Sequence, residues 1–314
     1  MEHLQGFESL ARRHSGFILD LWGVIHDGVT PYPGAADCLT RIRALGKPAV
    51  LLSNAPRRAH AAQAAMRAMG IADDLYTGIL TSGEATHMAL RDRTDPWFAA
   101  LGRRLYHLGP ARDRNVFDTL DLQVVEHPEE ADFVLNTGPD DLAGPTEVAD
   151  WEDLLQRFRR ANLPMICANP DLEVIRGGVR VICAGALTQR YEEIGGEARW
   201  LGKPDPAIYT PVLAMLGTRP EETLAVGDAL RTDIAGAKSR NIPSCWVLGG
   251  IHEAELGGDP ARIEAAAAAA GLAPAAGLPR FVWSPRKRFF FEKKNQKTFL
   301  TCTRAGLAGT RASR

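Results

Sequence analysis

The chain has 314 residues, 45% apolar and 24% charged, with a formal net charge of −1, which suits one large globular domain or two smaller ones. No apolar run reaches the ~20 residues of a membrane-spanning helix, and Met1 to Phe17 lacks the apolar block of a secretory leader. The near-zero charge is an average: from Arg286 onward there are nine basic residues and one acid, Glu292, which leaves 28 basic against 37 acidic side chains elsewhere and argues against a nucleic-acid surface.

Taken in order, Phe17-Ile18-Leu19 leads into Asp20, Ala49 to Leu52 into Ser53-Asn54, and Tyr76 to Leu80 into Thr81-Ser82-Gly83. Later, Thr223 to Val226 leads into Gly227-Asp228, and Ser244 to Leu248 into Gly249-Gly250. These runs are apolar throughout instead of alternating, the pattern of parallel strands buried on both faces. Helical spacing separates them at Ala35 to Ala44, Arg57 to Met69, Pro206 to Leu216 and Thr232 to Arg240. Strand–helix alternation predicts an α/β fold, a Rossmann-like doubly wound parallel sheet. Ligands bind such sheets beyond the carboxyl ends of the strands, where the polar residues named above stand.

Between Thr86 and Arg199 a long segment carries strand-type runs of its own, Leu105 to Leu108, Phe133 to Leu135 and Met165 to Cys167, with a helical stretch from Trp151 to Ala161. Its length requires a second αβ domain, inserted in the first. The expected boundaries are residues 1–85 and 200–284 for the first domain, 86–199 for the insertion, and 285–314 for a basic, disordered tail. An Ala-rich helix is expected over Ala261 to Ala270, and a last strand or packing segment over Leu278 to Trp283. The five cysteines, Cys38, Cys167, Cys183, Cys245 and Cys302, have no paired spacing, so they predict free thiols in a reducing cytoplasm.

Four strand-end motifs carry candidate chemistry. Asp20 could attack phosphorus as a carboxylate nucleophile, with Gly23 of Asp20-Leu21-Trp22-Gly23-Val24 turning the chain where a phosphate approaches. Asp after a strand is also an ordinary turn residue. Ser53 and Asn54 offer hydroxyl, amide and backbone N–H groups to phosphate oxygens, or simply cap the following helix. Lys203, in Gly202-Lys203-Pro204-Asp205-Pro206, can neutralise a nucleophile and a transferring phosphoryl group, although an isolated lysine is usually a solvated one. Asp228 and Asp233, with Asp20 nearby, could make a hard oxygen cage suited to Mg²⁺, or serve only as a turn former and as an acid favoured by the helix N-terminus.

In this order and spacing, Asp20, Ser53, Lys203 and the Asp228/Asp233 pair resemble the haloacid dehalogenase superfamily, and the insertion resembles that superfamily's large αβ cap. Ser53-Asn54-Ala55-Pro56-Arg57, Ala168-Asn169-Pro170-Asp171 and Leu201-Gly202-Lys203-Pro204 are similar to the subgroup of p-nitrophenyl phosphatase, phosphoglycolate phosphatase and pyridoxal phosphatase. The resemblance covers roughly Ser15 to Trp283. It implies a Mg²⁺-dependent phosphatase of a small phosphorylated metabolite, acting through an aspartyl phosphate on Asp20. Lys203 would offset charge, and Gly23, Ser53, Asn54, Arg57, Asn169 and Asp171 would lie at the phosphate or substrate. Mg²⁺ would be held by Asp20, the backbone carbonyl of Trp22 and Asp228, with Asp233 in support. Cap-to-cap homodimers are the assembly the resemblance suggests; no nucleic-acid or membrane partner is expected.

One position departs from the pattern. The family's phosphatases carry an acid/base Asp two residues after the nucleophile, where this chain has Trp22. An indole N–H is a donor only, and general acid catalysis typically contributes about 10²–10⁴ in rate. Three outcomes follow. The protein is a slow phosphatase acting on good leaving groups or on substrates that supply a proton; another group substitutes, with His26 and Asp27 the nearest candidates; or the scaffold binds a phosphorylated ligand without turnover. Trp22 is expected to stack on a flat ligand or to pack against the cap. The basic tail, with Phe289-Phe290-Phe291 among lysines, offers a membrane or acidic-partner contact as the alternative to disorder.

Overall fold

The computed structural model describes residues 1–139 and 144–284; the basic tail lies outside the described residues. In chain order the strands are β1 (Glu2–His3), β2 (Gly16–Leu19), β3 (Ala49–Ser53), β4 (Gly78–Thr81), β5 (Arg104–Leu108), β6 (Gln123–Val125) and β7 (Phe133–Asn136). They continue as β8 (Met165–Cys167), β9 (Glu173–Arg176), β10 (Val179–Ile182), β11 (Ala198–Trp200), β12 (Thr223–Gly227), β13 (Ser244–Val247) and β14 (Ala276–Leu278). Seven of them form one parallel sheet in the order β1-β14-β13-β12-β2-β3-β4. The α/β doubly wound architecture read from the sequence is therefore the observed one.

Sidedness follows from the two-residue period of a strand. Phe17 and Leu19 of β2 point into a core with Cys38, Leu39 and Ile42 of the helix Ala35–Ala44 and Met66 of the helix Ala59–Ala68. Ile18, between them, faces the opposite core with Val212 and Leu216 of the helix Tyr209–Leu216 and Ala237 of Ala235–Ser239. Both faces are covered, which is why the strand sequences do not alternate. Each fully buried aliphatic or aromatic side chain contributes roughly 1.5–3 kcal/mol, so the two cores hold strands β2, β3 and β12 rigidly and fix where their polar C-terminal residues point.

The inserted segment builds a second parallel sheet in the order β11-β8-β7-β5-β6, together with the antiparallel hairpin β9–β10. The hairpin turns through Gly177 and Gly178, both at positive φ, the geometry a two-residue turn between twisted strands requires. Its tip reaches the first domain, where the Gly177 N–H donates to the Asp27 carbonyl at 3.4 Å. The inserted αβ cap thus touches the core beside the carboxyl ends of the core strands. Among the described residues no helix is long and apolar enough to cross a membrane.

Some elements differ from the sequence expectation. The helix expected from Arg57 starts at Ala59. Arg58 is extended, its N–H donating to the Asn115 side chain of the cap at 3.0 Å, and the Arg57 carbonyl accepts from the Thr81 hydroxyl. The helix expected from Thr232 is preceded by a wide π turn, Leu230–Ile234, with regular α-helix confined to Ala235–Ser239. The last strand lies earlier than expected, at Ala276–Leu278, and Phe281 and Trp283 beyond it are buried packing residues. The Ala-rich helix runs Pro260–Ala269. The four described cysteines are free and buried.

Candidate active site

Asp20 follows the last residue of β2, and its N–H donates to the Val226 carbonyl of neighbouring β12 at 2.9 Å. Asp228 stands just past the end of β12, so adjacent strands bring the two carboxylates side by side. Asp233 sits inside the π turn, where its Oδ2 accepts from the Ala229 N–H at 3.1 Å. Widened turns of this kind are frequent at functional sites. One carboxylate oxygen from each of Asp20, Asp228 and Asp233 lies within 4.8 Å of the others, and all three residues are buried.

Lys203 enters this cluster from the segment that leads back out of the cap. Its Nζ donates to Asp20 Oδ1 at 2.7 Å, to Asp233 Oδ1 at 2.6 Å and to the Leu52 carbonyl at 3.0 Å. All three ammonium protons have acceptors, as burial demands. Burial works against the charge of Lys203, but the Asp20 and Asp233 carboxylates more than offset it and raise its pKa. The converse holds for the acids. Burial and then the Asp233 charge raise Asp20 well above the ordinary carboxylate range, with Lys203 opposing, and the same two causes raise Asp228.

Three buried carboxylates facing one ammonium leave the cluster short of positive charge. A hard divalent cation held by these oxygen donors would supply the positive charge the cluster lacks. The surrounding chain packs closely against these carboxylates. Gly23 has φ +78°, and a Cβ there would lie 2.0 Å from Asp228 Oδ2, so the Trp22–Gly23 backbone passes against Asp228 as no other residue would allow. Asp228 is fixed from the other side by the Ile251 N–H on its Oδ2 at 2.7 Å and by the Trp246 indole N–H on its carbonyl at 2.9 Å.

The phosphate-motif residues divide. Ser53 is buried at the end of β3, and its Oγ accepts from the Ala55 N–H at 3.1 Å. The Asn54 carboxamide is engaged by protein groups on both ends. Its Nδ2 donates to Asp171 Oδ1 at 2.9 Å and to the Lys203 carbonyl at 3.1 Å, while its Oδ1 accepts from the Lys203 N–H at 2.8 Å. Asn54 therefore ties the loop after β3 both to the lysine segment and to the cap. Its backbone, not its amide, is left for a phosphate. Gly202 permits this approach, since a Cβ there would lie 2.6 Å from Asn54 Oδ1.

A cavity of about 250 Å³ opens over the cluster, lined by Asp20, Trp22, Asp27, Tyr32, Asp171 and Glu173 among others. Trp22 is half-buried, packed edge-to-face on His26 with ring centroids 5.5 Å apart and laid against Gly28. It stands between this cavity and a neighbouring one lined by Arg57, Asn169 and Arg176. Arg57 and Asn169 are thus brought to the side cavity and not to the acidic cluster. Arg57 Nε lies 3.3 Å from Asp113 Oδ1 of the cap, and Asn169 Oδ1 accepts from the Asp171 N–H at 3.2 Å. Asp113 is a residue the sequence did not single out; within Ala111-Arg112-Asp113-Arg114 it reads as one member of an exposed charge run.

The two candidate substitutes for the missing acid are placed poorly for that role. His26 is buried, which lowers its pKa to about 4, and its Nδ1 accepts from the Gly28 N–H at 2.9 Å. It is neutral and turned into its own loop. Asp27 is lowered despite partial burial, because Oδ1 accepts from the backbone N–H groups of Thr30 and Val29 and from the Thr30 hydroxyl. A carboxylate held ionised in this way has no proton to give at neutral pH.

Comparison with known proteins agrees with this geometry. A family model described as haloacid dehalogenase-like hydrolase matches residues 17–123, and a second, HAD-hydrolase-like, matches residues 200–275. The chain is 30% identical over 244 residues to ribonucleotide monophosphatase NagD of Escherichia coli strain K12, covering 74% of this chain and 87% of that protein. It is 29% identical over 257 residues to D-glycerol 3-phosphate phosphatase of Mycobacterium tuberculosis, covering 79% of this chain; it spans just under two thirds of that protein, 66%. A crystal structure of a haloacid dehalogenase-like hydrolase from Brucella suis 1330 superposes with a TM-score of 0.76 at 33% identity, covering 89% of this chain and all of that one.

Proposed function

This chain belongs to the haloacid dehalogenase-like hydrolases, and from that membership we propose that it is a Mg²⁺-dependent phosphatase of a small phosphorylated metabolite with Asp20 as nucleophile. The observation that carries the reading is the cluster of Asp20, Asp228 and Asp233 around the Lys203 ammonium at the strand ends. The phosphatase names of the similar proteins support the reaction class.

Asp20, Asp228 and the Trp22 carbonyl would hold Mg²⁺ with Asp233 in support, and the cation would offset negative charge on the transferring phosphoryl oxygens. The chain's own groups do the rest. Lys203 fixes the direction of the Asp20 carboxylate and opposes the rise that burial and Asp233 cause, so it favours the ionised form that attacks phosphorus, the bond to the leaving oxygen breaking as the aspartyl phosphate forms. Ser53 and the backbone after β3 bind phosphoryl oxygens without offering a competing nucleophile at the sheet end. Water then cleaves the aspartyl phosphate and frees Asp20. The cap supplies Asp171, Glu173 and Val174 to the wall of the cavity over the strand ends.

The test is hydrolysis of p-nitrophenyl phosphate and a panel of phosphorylated metabolites with and without Mg²⁺. Turnover should require the cation and should vanish in Asp20→Asn; activity surviving that substitution would remove Asp20 from the role. Trp22, in the place of the usual acid, favours a second reading, a phospho-ligand binding protein. Mg²⁺-dependent binding of beryllium trifluoride without turnover of any compound would select it.

A further inference from the structure

Resting on the phosphatase reading, we infer that Asp171, contributed by the cap, is the proton donor and acceptor that works in place of the acid missing at Trp22. Asp171 lines both the cavity over Asp20 and the side cavity behind Trp22, so it borders the space beside the attacking carboxylate where a leaving group would stand. The other carboxyls of the main cavity, outside the cation cluster, are committed elsewhere. Asp27 is spent on its own turn. Glu173 is ion-paired with Arg180, and Glu253 faces Arg280 at 4.0 Å. Asp171 is neither turned into its own loop nor paired with an arginine; its side-chain hydrogen bond comes from the neutral Asn54 amide at 2.9 Å. Its second oxygen has no hydrogen-bond partner among the described residues.

Asn54 is a positioning residue for this group. Its carboxamide is locked by the N–H and the carbonyl of Lys203, so the lysine that touches Asp20 also sets where Asp171 stands. The electrical surroundings suit proton exchange. Burial raises the Asp171 pKa, Asp233 adds to the rise, and Lys203, the Asn54 bond and Arg231 oppose it. Asp228 faces it as well. An acid useful in both directions has its pKa moved toward the working pH.

The proton balance closes on this residue. As Asp20 forms its bond to phosphorus and the bond to the leaving oxygen breaks, the Asp171 proton passes to that oxygen. In the second step the Asp171 carboxylate takes a proton from the attacking water. The phosphorus–Asp20 bond breaks, inorganic phosphate leaves, and both carboxyl groups return to their starting states.

The experiment compares leaving groups under single-turnover conditions, with enzyme in excess, so that phosphorylation of Asp20 is what is read. Asp171→Asn keeps the size of the group and an acceptor for Asn54. It should slow the first turnover of phenyl phosphate by about 10²–10⁴, while p-nitrophenyl phosphate, whose leaving group needs little protonation, changes by less than about tenfold. The p-nitrophenyl rate also verifies that the variant is folded. Trp22→Asp combined with Asp171→Asn should restore phenyl phosphate hydrolysis. Equal slowing of both substrates, no slowing of either, or no recovery in the double variant would overturn the assignment. Failure of wild type to turn over any phosphate ester would instead overturn the phosphatase reading beneath it.

Discussion

The core sheet and the cap contribute to one cavity by different physical means. In the core, Asp20, Ser53 and Asp228 each stand where an apolar strand ends, held by backbone pairing and by two buried cores. In the cap, Asp171 follows a short strand and is set by a side-chain amide from across the interface, and among the described residues the backbone hydrogen bond from the β9–β10 hairpin to the core is a long one, 3.4 Å from the Gly177 N–H to the Asp27 carbonyl. The reacting centre is thus rigid on one side and adjustable on the other. Chemistry is expected to fail when the core is changed, and selectivity to shift when the cap is changed.

The largest effect should come from Lys203→Met. It leaves Asp20, Asp228 and Asp233 buried with no ammonium, and breaking a buried charge cluster costs about 3–5 kcal/mol. Denaturant unfolding without Mg²⁺ should show that loss, and added Mg²⁺ should recover part of it. Equal stability of the variant and wild type would mean the lysine is not bearing the cluster's charge.

At the joint between core and cap, Asp113 is buried and its carboxyl is pushed up to about 6, by burial against the opposing Arg57 and Arg112 charges. A carboxyl that is harder to ionise when folded supports stability at low pH and withdraws that support as pH rises from about 4 to about 6. Asp113→Asn removes this titration. Relative to wild type, the variant should gain about 3 kcal/mol across that window, read from urea midpoints at several pH values. A constant difference would show that Asp113 does not titrate there.

Asn54→Ala removes the clip shared by Lys203 and Asp171, which should cost about 1–3 kcal/mol. Turnover of phenyl phosphate should fall more than that of p-nitrophenyl phosphate, because the acid on the cap loses its position. Equal falls would place the clip's importance in stability alone. The smallest effect belongs to Val174→Ala, on the cap hairpin at the cavity wall. KM should move a few-fold for some substrates with kcat nearly constant and stability within about 0.5 kcal/mol. A large loss of kcat would show that the hairpin does more than select.

This division also explains what could be read before the fold was known. Asp20 and Asp228 were legible because a buried parallel strand writes itself as an apolar run and its end as a polar break. Lys203 alone reads as a solvated lysine and became legible only through its place in the order and spacing of the four motifs. The hairpin was not legible, because Glu173 to Ile182 mixes charge and apolar residues without a strand-like run. The pairing of Arg57 with Asp113 and the engagement of both ends of the Asn54 amide depend on segments far apart in the chain meeting at the interface. Residue type alone made His26 a candidate acid; only its burial and its bond from Gly28 remove it.

The central claim is that Asp20 carries the phosphoryl group. It is tested most directly by incubating the protein with p-nitrophenyl phosphate and Mg²⁺, quenching in acid, reducing with borohydride and mapping the peptides by mass spectrometry. The residue 20 side chain should be reduced from carboxyl to alcohol, dependent on both substrate and Mg²⁺. Turnover with residue 20 unreduced, or with the reduced group at another carboxylate, would contradict it.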